Sequence, residues 1–232
     1  MLDNYGGATP PGTFTVVQIH INAFGDTYYT AWGAARSSLY GVGGIPDAWF
    51  DGVQRVVGAG STDSAYAAYM AKYNLRQATA TDVTIQLGGR LLSGNTYEVQ
   101  ATVGIEAGGT GKTMRIYLAQ VLDLYPIPPS YSRYCFIQPA VTYGSEDVIT
   151  LTPEQTQIVT RNFTLSGPSL AALPHVKIVA WAQHNPLSSG KEVYQAATMS
   201  WPFPASVALT IELPDAVPEY IPPGMPTDIT IQ

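Results

Sequence analysis

The second half of the sequence alternates apolar and polar residues with a period of two, and this pattern constrains the fold more than any other feature. From residue 82 onward it recurs in seven runs that are separated by Gly, Pro, Ser and Asn. The runs are 83–87, 97–105, 114–122, 148–151, 157–165, 176–183 and 192–197. Strands that alternate in this way bury one face, and several short strands divided by turn residues are typical of an antiparallel sandwich. We therefore predict a β-sandwich over residues 81–213, with a last strand at 207–213.

The first eighty residues follow a different pattern, which is typical of α/β structure. Residues 1–12 contain three Gly and two Pro and are predicted to form an irregular arm. Residues 13–21 are β-branched and almost continuously apolar, as expected of a central strand that is covered on both faces. The chain therefore changes character near residue 80, and two structural units are expected.

Two helices and a hairpin are predicted between this strand and the sandwich. Residues 28–40 are rich in Ala and carry large or apolar residues at helical spacing, and 65–73 form a second helix after an N-cap at Ser61, Thr62 or Asp63. Between the helices, 48–50 and 54–57 flank an Asp-Gly pair, which is a strong hairpin signal. The helical positions of the first stretch are Tyr28, Trp32, Ala35 and Leu39.

The composition indicates an uncharged surface. Charged residues make up 12% of the chain, whereas a quarter is usual, and Gly (22), Pro (18) and Tyr (15) are plentiful. Such a surface suits an extracellular or assembled protein. The net charge of −6, with 11 Lys and Arg residues and no basic cluster, argues against nucleic acid or an anionic membrane as partner.

Cysteine usage excludes one class of chemistry. Cys135 is the single cysteine, so neither an internal disulfide framework nor a CxxC pair can form within this chain. The first twenty residues lack the pattern of a signal peptide, and no apolar run reaches membrane-spanning length. Two expectations remain open: a cytosolic protein, or numbering that starts after a processed segment.

Several stretches carry a resemblance to a known family. Residues 18–52 resemble the C-terminal half of a thioredoxin-like fold. The stretches YSRYCF (131–136), VKIVAWAQH (176–184) and GKEVYQAA (190–197) resemble the outer-membrane-protein-twenty-eight-related (Omp28-related) family of bacterial surface proteins. The resemblance covers roughly residues 13–205. It implies an α+β fold in which a partial thioredoxin-like α/β domain, 13–80, is followed by the antiparallel β-sandwich.

The resemblance also assigns a role to Pro46 and reveals a missing strand. By the resemblance, Ile45-Pro46 is the cis-proline turn beside the redox site of thioredoxins, although cis is otherwise the minority state of an X-Pro bond. The resemblance also implies that the first two strands and the helix that carries CxxC precede residue 13, where only twelve irregular residues stand. The thioredoxin-like sheet would then have an unpaired edge at its centre, which is costly to bury. We expect the arm, a processed upstream fragment or a strand of another molecule to fill it.

Weak metal candidates lie around the same turn. Asp26, Asp47 and Asp51 flank Pro46 and offer the oxygen ligands that Ca²⁺ prefers, although such aspartates more often cap turns and helices. The three histidines, His20, His175 and His184, lie in different elements without metal-ligand spacing. We predict neither a bound metal nor a cofactor.

Four further motifs have simpler interpretations. Residues 106–113 (EAGGTGKT) depart from a phosphate-binding loop because Glu106 occupies the first Gly position and a strand follows, so a hairpin turn is predicted. Ser188 and Ser189 lie near His184 without an evident acidic partner, which makes a hydrolase triad weak. Cys135 is interpreted as a buried structural cysteine, and Asn162-Phe-Thr is a glycosylation sequon that matters only in an exported protein.

The sequence favours a non-enzymatic structural protein outside the cell or on its surface, assembled with copies of itself. The tail, 214–232, contains five prolines and ends in a β-prone segment, and such a tail can reach a neighbour and add a strand to its open sheet. Repeated head to tail, this strand donation gives filaments. The candidate donor residues are Asp228, Ile229, Thr230 and Ile231.

Two alternatives stay open. One is a thioredoxin-like redox accessory whose CxxC lies upstream of this chain, with the Pro46 loop contacting substrate as the resemblance implies. The other is a sandwich module that binds surface glycans or other surface proteins through exposed aromatic residues, although aromatic residues are as readily core. Its candidates are Tyr125, Tyr131, Tyr134, Tyr143 and Trp201.

Overall fold

Two packed antiparallel sheets follow a helix, a hairpin and a second helix. The computed structural model describes residues 14–21, 28–123, 125–127, 130–132, 135–165 and 167–200. The elements in these ranges are α1 (Ala31–Tyr40), β1 (Asp47–Phe50), β2 (Gln54–Val57), α2 (Thr62–Gln77), β3 (Val83–Ser93), β4 (Thr96–Ile105), β5 (Lys112–Leu122), β6 (Tyr125–Ile127), β7 (Ser130–Ser132), β8 (Cys135–Pro139), β9 (Asp147–Leu151), β10 (Thr156–Thr164), α3 (Gly167–Ala171), β11 (Val176–His184) and β12 (Val193–Ser200). A short 3-10 helix, Leu173–His175, precedes β11.

The sandwich consists of a three-stranded and a five-stranded sheet. The strand order is β10-β4-β3 in the first and β12-β11-β5-β8 in the second, where β9 also pairs with β5. Tyr97 of β4 lies opposite Leu91 of β3 and Phe163 of β10. The hairpins β1–β2 and β6–β7 form separate two-stranded sheets.

The core between the two sheets is formed by alternating residues of facing strands, as the period of two requires. Tyr97, Met114 and Ile178 are among the side chains that are fully buried there. The Tyr97 hydroxyl donates a 2.7 Å hydrogen bond to Gln120 Oε1, which supplies the partner that a buried hydroxyl needs. Burial raises the pKa of Tyr97 far above its ordinary value, so this hydroxyl keeps its proton.

The five-stranded sheet is apolar on its outer face as well. A second cluster lies there, built from β5, β8 and β11 together with one residue of α1. Its buried members are Trp32, Tyr117, Ala119, Val121, Phe136, Val179 and Trp181. The two-sided burial explains why residues 116–122 of β5 form a continuous buried run instead of alternating.

Residues 14–21 form part of the cover over this outer face, and here the prediction of a central α/β strand is wrong for the described residues. They form an extended segment with a single bridge position, at Gln18, whose carbonyl accepts from Phe136 N–H at 2.9 Å. Val17 and Ile19 pack on the second cluster. A Cβ on Gly33 of α1 would lie 2.9 Å from Ile19 Cγ2, so helix and segment are in close contact. An apolar run of this kind can therefore lie across a sheet without forming a strand of it.

The helices and the hairpin follow the predicted local signals. Thr30 caps α1, accepting from Gly33 N–H at 2.9 Å, and Ser61 caps α2 in a capping box with Ser64. Asp51 and Gly52 have φ of 47° and 71°, which both central residues of a type I′ hairpin turn require. Among the described residues, no helix is long and apolar enough to cross a membrane.

The structure confirms all seven predicted sandwich strands that lie between residues 83 and 197. The prediction missed β6, β7 and β8, where Pro and Tyr interrupt the alternation, and it ended β3 before the pair Gly88-Gly89. Residues 106–111 connect β4 in one sheet to β5 in the other, so they form a crossing loop and not the predicted hairpin turn. The predicted strand at 207–213, like the arm and the tail, lies outside the described residues.

Asp82 fastens this crossing loop, and we expect Asp82→Asn to destabilise the sandwich. Its carboxylate accepts from Lys112 Nζ at 2.5 and 2.6 Å and from Thr110 N–H at 2.7 Å, which hold the Asp82 pKa below its usual range. The loss should be about 1 kcal/mol in denaturant unfolding at neutral pH, because the amide lacks the charge and one of the two acceptor oxygens, and the site lies near the surface.

The same variant predicts a pH dependence. Because the folded pKa of Asp82 is lowered, its stabilisation is present above the pKa of an unfolded aspartate, near 3.8, and is lost as pH falls through the folded value. The difference in unfolding free energy between wild type and variant should therefore shrink below about pH 4. A difference that stays constant down to pH 2 would contradict the assignment.

Candidate functional site

The candidate site is the Pro46 hairpin, by which we mean residues 45–58, together with the surfaces that it contacts. The Ile45–Pro46 peptide bond is cis, the geometry that the thioredoxin-like resemblance implies. Pro46 C=O accepts from Gly58 N–H at 2.7 Å, which closes the base of the hairpin. Ile45 is 59% exposed and Val57 is 54% exposed, so the base of the hairpin presents apolar surface to solvent.

The outer edge of β1 is open among the residues that the structure describes. In an antiparallel pair, the hydrogen-bonded residues alternate with residues whose N–H and C=O point away. The bond between Pro46 and Gly58 fixes this alternation, so Ala48 and Phe50 face β2, whereas the main-chain groups of Asp47 and Trp49 face outward. Within the described ranges, β1 pairs with β2 alone.

The tip of the hairpin is attached to the sandwich through the segment before β12. Val193 N–H donates to Asp51 C=O at 2.7 Å. Arg76 of α2 joins both sides, since its guanidinium contacts Asp51 at 2.9 Å and Glu192 at 2.8 Å. The backbone of Gly52 approaches so closely that a Cβ there would lie 1.9 Å from Lys191 C=O. The thioredoxin-like hairpin therefore rests directly on the sandwich.

Behind the hairpin, Arg36 of α1 is buried among aromatic rings, with 4% of its surface exposed. Its Nη1 donates to Gln183 Oε1 at 2.8 Å and its Nη2 to the Tyr40 hydroxyl at 3.2 Å. Gln183 in turn donates to Lys191 C=O at 2.6 Å. The guanidinium carbon lies 4.7 to 5.8 Å from the ring centroids of Tyr117, Tyr40, Trp32 and Trp181, within the range of cation–π attraction.

A buried carboxylate completes this arginine–aromatic cluster on its far side. Glu146 accepts from Trp32 Nε1 at 3.1 Å, from Arg115 Nη1 at 3.0 Å and from Gly144 N–H at 2.9 Å. Tyr117 stacks on Trp181 with ring centroids 4.9 Å apart, and burial raises the pKa of its hydroxyl to about 12. The cluster thus holds α1 against the five-stranded sheet by ring contacts and charged hydrogen bonds.

His184 lies in a chain of hydrogen bonds at the edge of the sandwich. Its Nδ1 contacts the Tyr194 hydroxyl at 2.7 Å and its Nε2 contacts Ser189 Oγ at 3.0 Å, while Ser189 Oγ donates to Pro186 C=O at 3.0 Å. A carbonyl only accepts, so all three contacts are satisfied when Tyr194 donates to Nδ1 and Nε2–H donates to Ser189. In that arrangement the imidazole cannot take the serine proton, and the chain braces the loop that carries Lys191.

The structure does not bring the three predicted aspartates together. Asp47, with 2% of its side chain exposed, binds Arg55 at 2.6 and 3.0 Å, and Asp51 binds Arg76. Asp26 lies outside the described residues. Among the residues that are described, no group of three His, Cys, Asp or Glu side chains could hold a metal ion.

The remaining candidates are scattered. Asn162 is exposed on β10, on the solvent-facing side of the three-stranded sheet. Tyr143 is half-buried and packs edge-on against Trp32 at 6.0 Å, as a core residue does. Tyr125 and Tyr131 form part of the β6–β7 hairpin. The candidates that lie outside the described ranges are Tyr134, Trp201 and the tail residues Asp228, Ile229, Thr230 and Ile231.

The sequence reasoning missed Arg36 and Gln183. A signal was present, because Trp32, Arg36 and Tyr40 recur every four residues and form the inward stripe of α1. The predicted stripe instead followed Ala35 and Leu39, since apolar residues are usually the buried ones. Arg36 lies on the same helix face as two aromatic residues, and this was the sign that its side chain is buried among them.

Comparison with solved structures identifies the fold. HBP35 of Porphyromonas gingivalis is similar with a TM-score of 0.58 and 13% identity, over 79% of this chain and 62% of HBP35. A domain of the outer membrane lipoprotein Omp28 from the same organism aligns with a TM-score of 0.38 and 12% identity, over 50% of this chain and 93% of that domain. No family model and no curated protein matches the sequence.

The similarity to HBP35 confirms the α+β fold class, with a thioredoxin-like part followed by a β-sandwich. The second of the two similar structures is a domain of Omp28, after which the family that the short motifs resemble is named. At 13% identity the similarity concerns the fold, and this chain spans 62% of the length of HBP35.

Close packing at the hairpin tip predicts that Gly52→Ala detaches the hairpin. The new Cβ would overlap Lys191 C=O, and φ at this position is +71°, which disfavours any L side chain. We expect a loss of about 2 to 4 kcal/mol in unfolding free energy, or faster amide exchange in β1 and β2 if only the hairpin opens.

Gly44→Ala is the matched control, since a Cβ at Gly44 meets nothing within 4 Å. It should leave both stability and exchange unchanged. Equal behaviour of the two variants would show that the contact with Lys191 does not hold the hairpin.

Proposed function

We propose that this protein is a non-enzymatic protein of the bacterial surface or exterior that assembles with copies of itself. In this proposal the thioredoxin-like half serves as an acceptor for an added strand and carries out no redox chemistry. The single cysteine cannot supply a CxxC pair within this chain, which supports the second point.

The surface location is supported by composition and by resemblance. Only 12% of residues are charged, and the short motifs resemble a family of bacterial surface proteins. A weakly charged surface lacks the repulsion that keeps highly charged proteins apart, and this favours association.

The observation that carries the assembly proposal is the open outer edge of β1. Asp47 and Trp49 direct their main-chain N–H and C=O groups away from β2, and among the described residues no strand receives them. Unpaired edges of this kind are templates for strand addition. The edge is rigidly presented, because the tip of the hairpin is bound to residues 191–193 of the sandwich.

The proposed donor is the segment with residues 228–231 of a second copy. Ile229 and Ile231 would occupy one face of the added strand, and Asp228 and Thr230 the other. Five prolines between residues 214 and 226 favour an extended connection, which lets the segment reach a neighbour. Strand addition supplies main-chain hydrogen bonds without a large apolar interface.

Removing the donor tests the assembly. We expect deletion of residues 215–232 to leave a folded monomer at concentrations where the full chain assembles, as measured by light scattering and electron microscopy. The double variant Ile229→Pro with Thr230→Pro should behave like the deletion, because neighbouring prolines remove one N–H from each edge of the strand. Ile229→Val with Thr230→Ser keeps both N–H groups and should assemble normally. Assembly that survives the deletion would refute strand donation.

A second experiment locates the acceptor. A peptide of residues 219–232 is added to the truncated protein, and amide exchange is followed residue by residue. Exchange at Asp47 and Trp49 should slow by at least about tenfold, because their N–H groups become bonded. Ala48, which already faces β2, is an internal control. A peptide that binds while Asp47 and Trp49 exchange as before would refute β1 as the acceptor.

A further inference from the structure

Three buried hydrogen-bond donors in the arginine–aromatic cluster have no acceptor in the part of the chain that the structure describes. They are Arg36 Nε, Arg115 Nε and the Tyr117 hydroxyl. A buried donor without a partner costs about 1 to 3 kcal/mol, and more when the group is charged. Three such donors in one cluster indicate that an acceptor belongs there.

The three donors belong to side chains that meet at one place. The Arg36 guanidinium carbon lies 4.7 Å from the centroid of the Tyr117 ring. Arg115 and Tyr117 are two residues apart on β5, so they share the outer face of the sheet. Gln183 of β11 lies opposite Arg115 in register and accepts from Arg36. Arg36 and Arg115 therefore both neighbour Gln183 and Tyr117.

The charge at this place is not balanced by the described side chains that contact it. Among the described residues, Arg36 donates to two neutral acceptors, Gln183 Oε1 and the Tyr40 hydroxyl. Glu146 is the carboxylate of the cluster, and it already binds Arg115 and Trp32. Two arginines and one glutamate leave one positive charge in excess. An uncompensated charge is costly to bury, and only 4% of the surface of Arg36 is exposed.

The chemistry of the donors selects the kind of acceptor. Two of the three unpaired atoms, Arg36 Nε and Arg115 Nε, can only donate, and the Tyr117 hydroxyl also has a proton to donate. A water molecule could accept from them, but it carries no charge to offset the excess positive charge. The Tyr117 hydroxyl stays protonated at neutral pH because burial raises its pKa. A site of donors with a positive charge suits a species that only accepts and carries a negative charge.

We propose that a small monovalent anion of the halide class, with chloride as the abundant example, binds between Arg36, Arg115 and Tyr117. The anion accepts from the unpaired donors and neutralises the excess charge. Because Arg36 belongs to α1 while Arg115 and Tyr117 belong to β5, the bound anion fastens the thioredoxin-like half to the sandwich.

Stability in different sodium salts tests the proposal. The thermal midpoint of the full chain is measured in chloride, bromide and gluconate at constant ionic strength, with gluconate, a large organic anion, as the reference salt. We expect a saturable rise of about 3 to 6 °C when chloride is roughly ten times its dissociation constant, and none in gluconate. Equal midpoints in chloride and gluconate would refute the site.

Variants separate the site from a general salt effect. Arg36→Met should abolish the chloride dependence, and Tyr117→Phe, which removes only the hydroxyl, should raise the half-saturating chloride concentration several-fold. Arg90→Met is the matched control, because Arg90 pairs with Glu98 at the surface and lies on the other sheet. If Arg36→Met fails to fold, Tyr117→Phe still decides. A chloride dependence unchanged in Tyr117→Phe, or bromide-grown crystals without an anomalous peak beside Arg36 Nε, would overturn the proposal.

Discussion

The five-stranded sheet is apolar on both faces, and the rest of the structure depends on how its outer face is covered. Tyr117, Phe136 and Trp181 project away from the sandwich core and would expose large aromatic surfaces to water. Burying an aromatic side chain is worth several times the net contribution of an ordinary hydrogen bond. The residues before the sandwich supply this cover, through Trp32 and Arg36 of α1 and through Val17 and Ile19 of the extended segment.

This requirement explains why the thioredoxin-like half has the form that it has. In an independent thioredoxin-like domain, residues 14–21 would pair with strands of their own sheet. Here their apolar side chains lie on the second cluster, and Gln18 C=O bonds to Phe136 of β8. Among the described residues, β1 and β2 therefore form a sheet of two strands only. The cover and the open edge of β1 have the same cause. Residues 14–21, which could extend the β1–β2 sheet, instead cover the outer face of the five-stranded sheet.

The parts of the fold that depend on local patterns could be predicted from the sequence, and the parts that depend on long-range packing could not. Alternation identified the seven sandwich strands, and Asp51-Gly52 identified the hairpin, because these signals lie within a few neighbouring residues. Residues 14–21 were predicted to be a strand of the thioredoxin-like sheet, since an apolar run looks the same in the sequence whether it joins a sheet or lies across one. Arg36 was missed because its partners, Gln183 and Trp181, lie almost 150 residues away along the chain.

The hairpin combines a fixed tip with an open edge, and these two properties have separate causes. The tip is fixed by side-by-side backbone contacts at Gly52, Asp51 and Val193, together with the ion pairs of Arg76. Among the described residues the edge of β1 is open because residues 14–21 lie on the outer face of the five-stranded sheet and do not pair with β1. A strand added along Asp47 and Trp49 would use main-chain groups that take no part in docking the tip. Strand addition therefore does not require the hairpin to leave the sandwich, and the acceptor can be rigid before its partner arrives. A preformed acceptor loses little conformational entropy on binding. The conformational entropy lost on association therefore comes mainly from the donor segment.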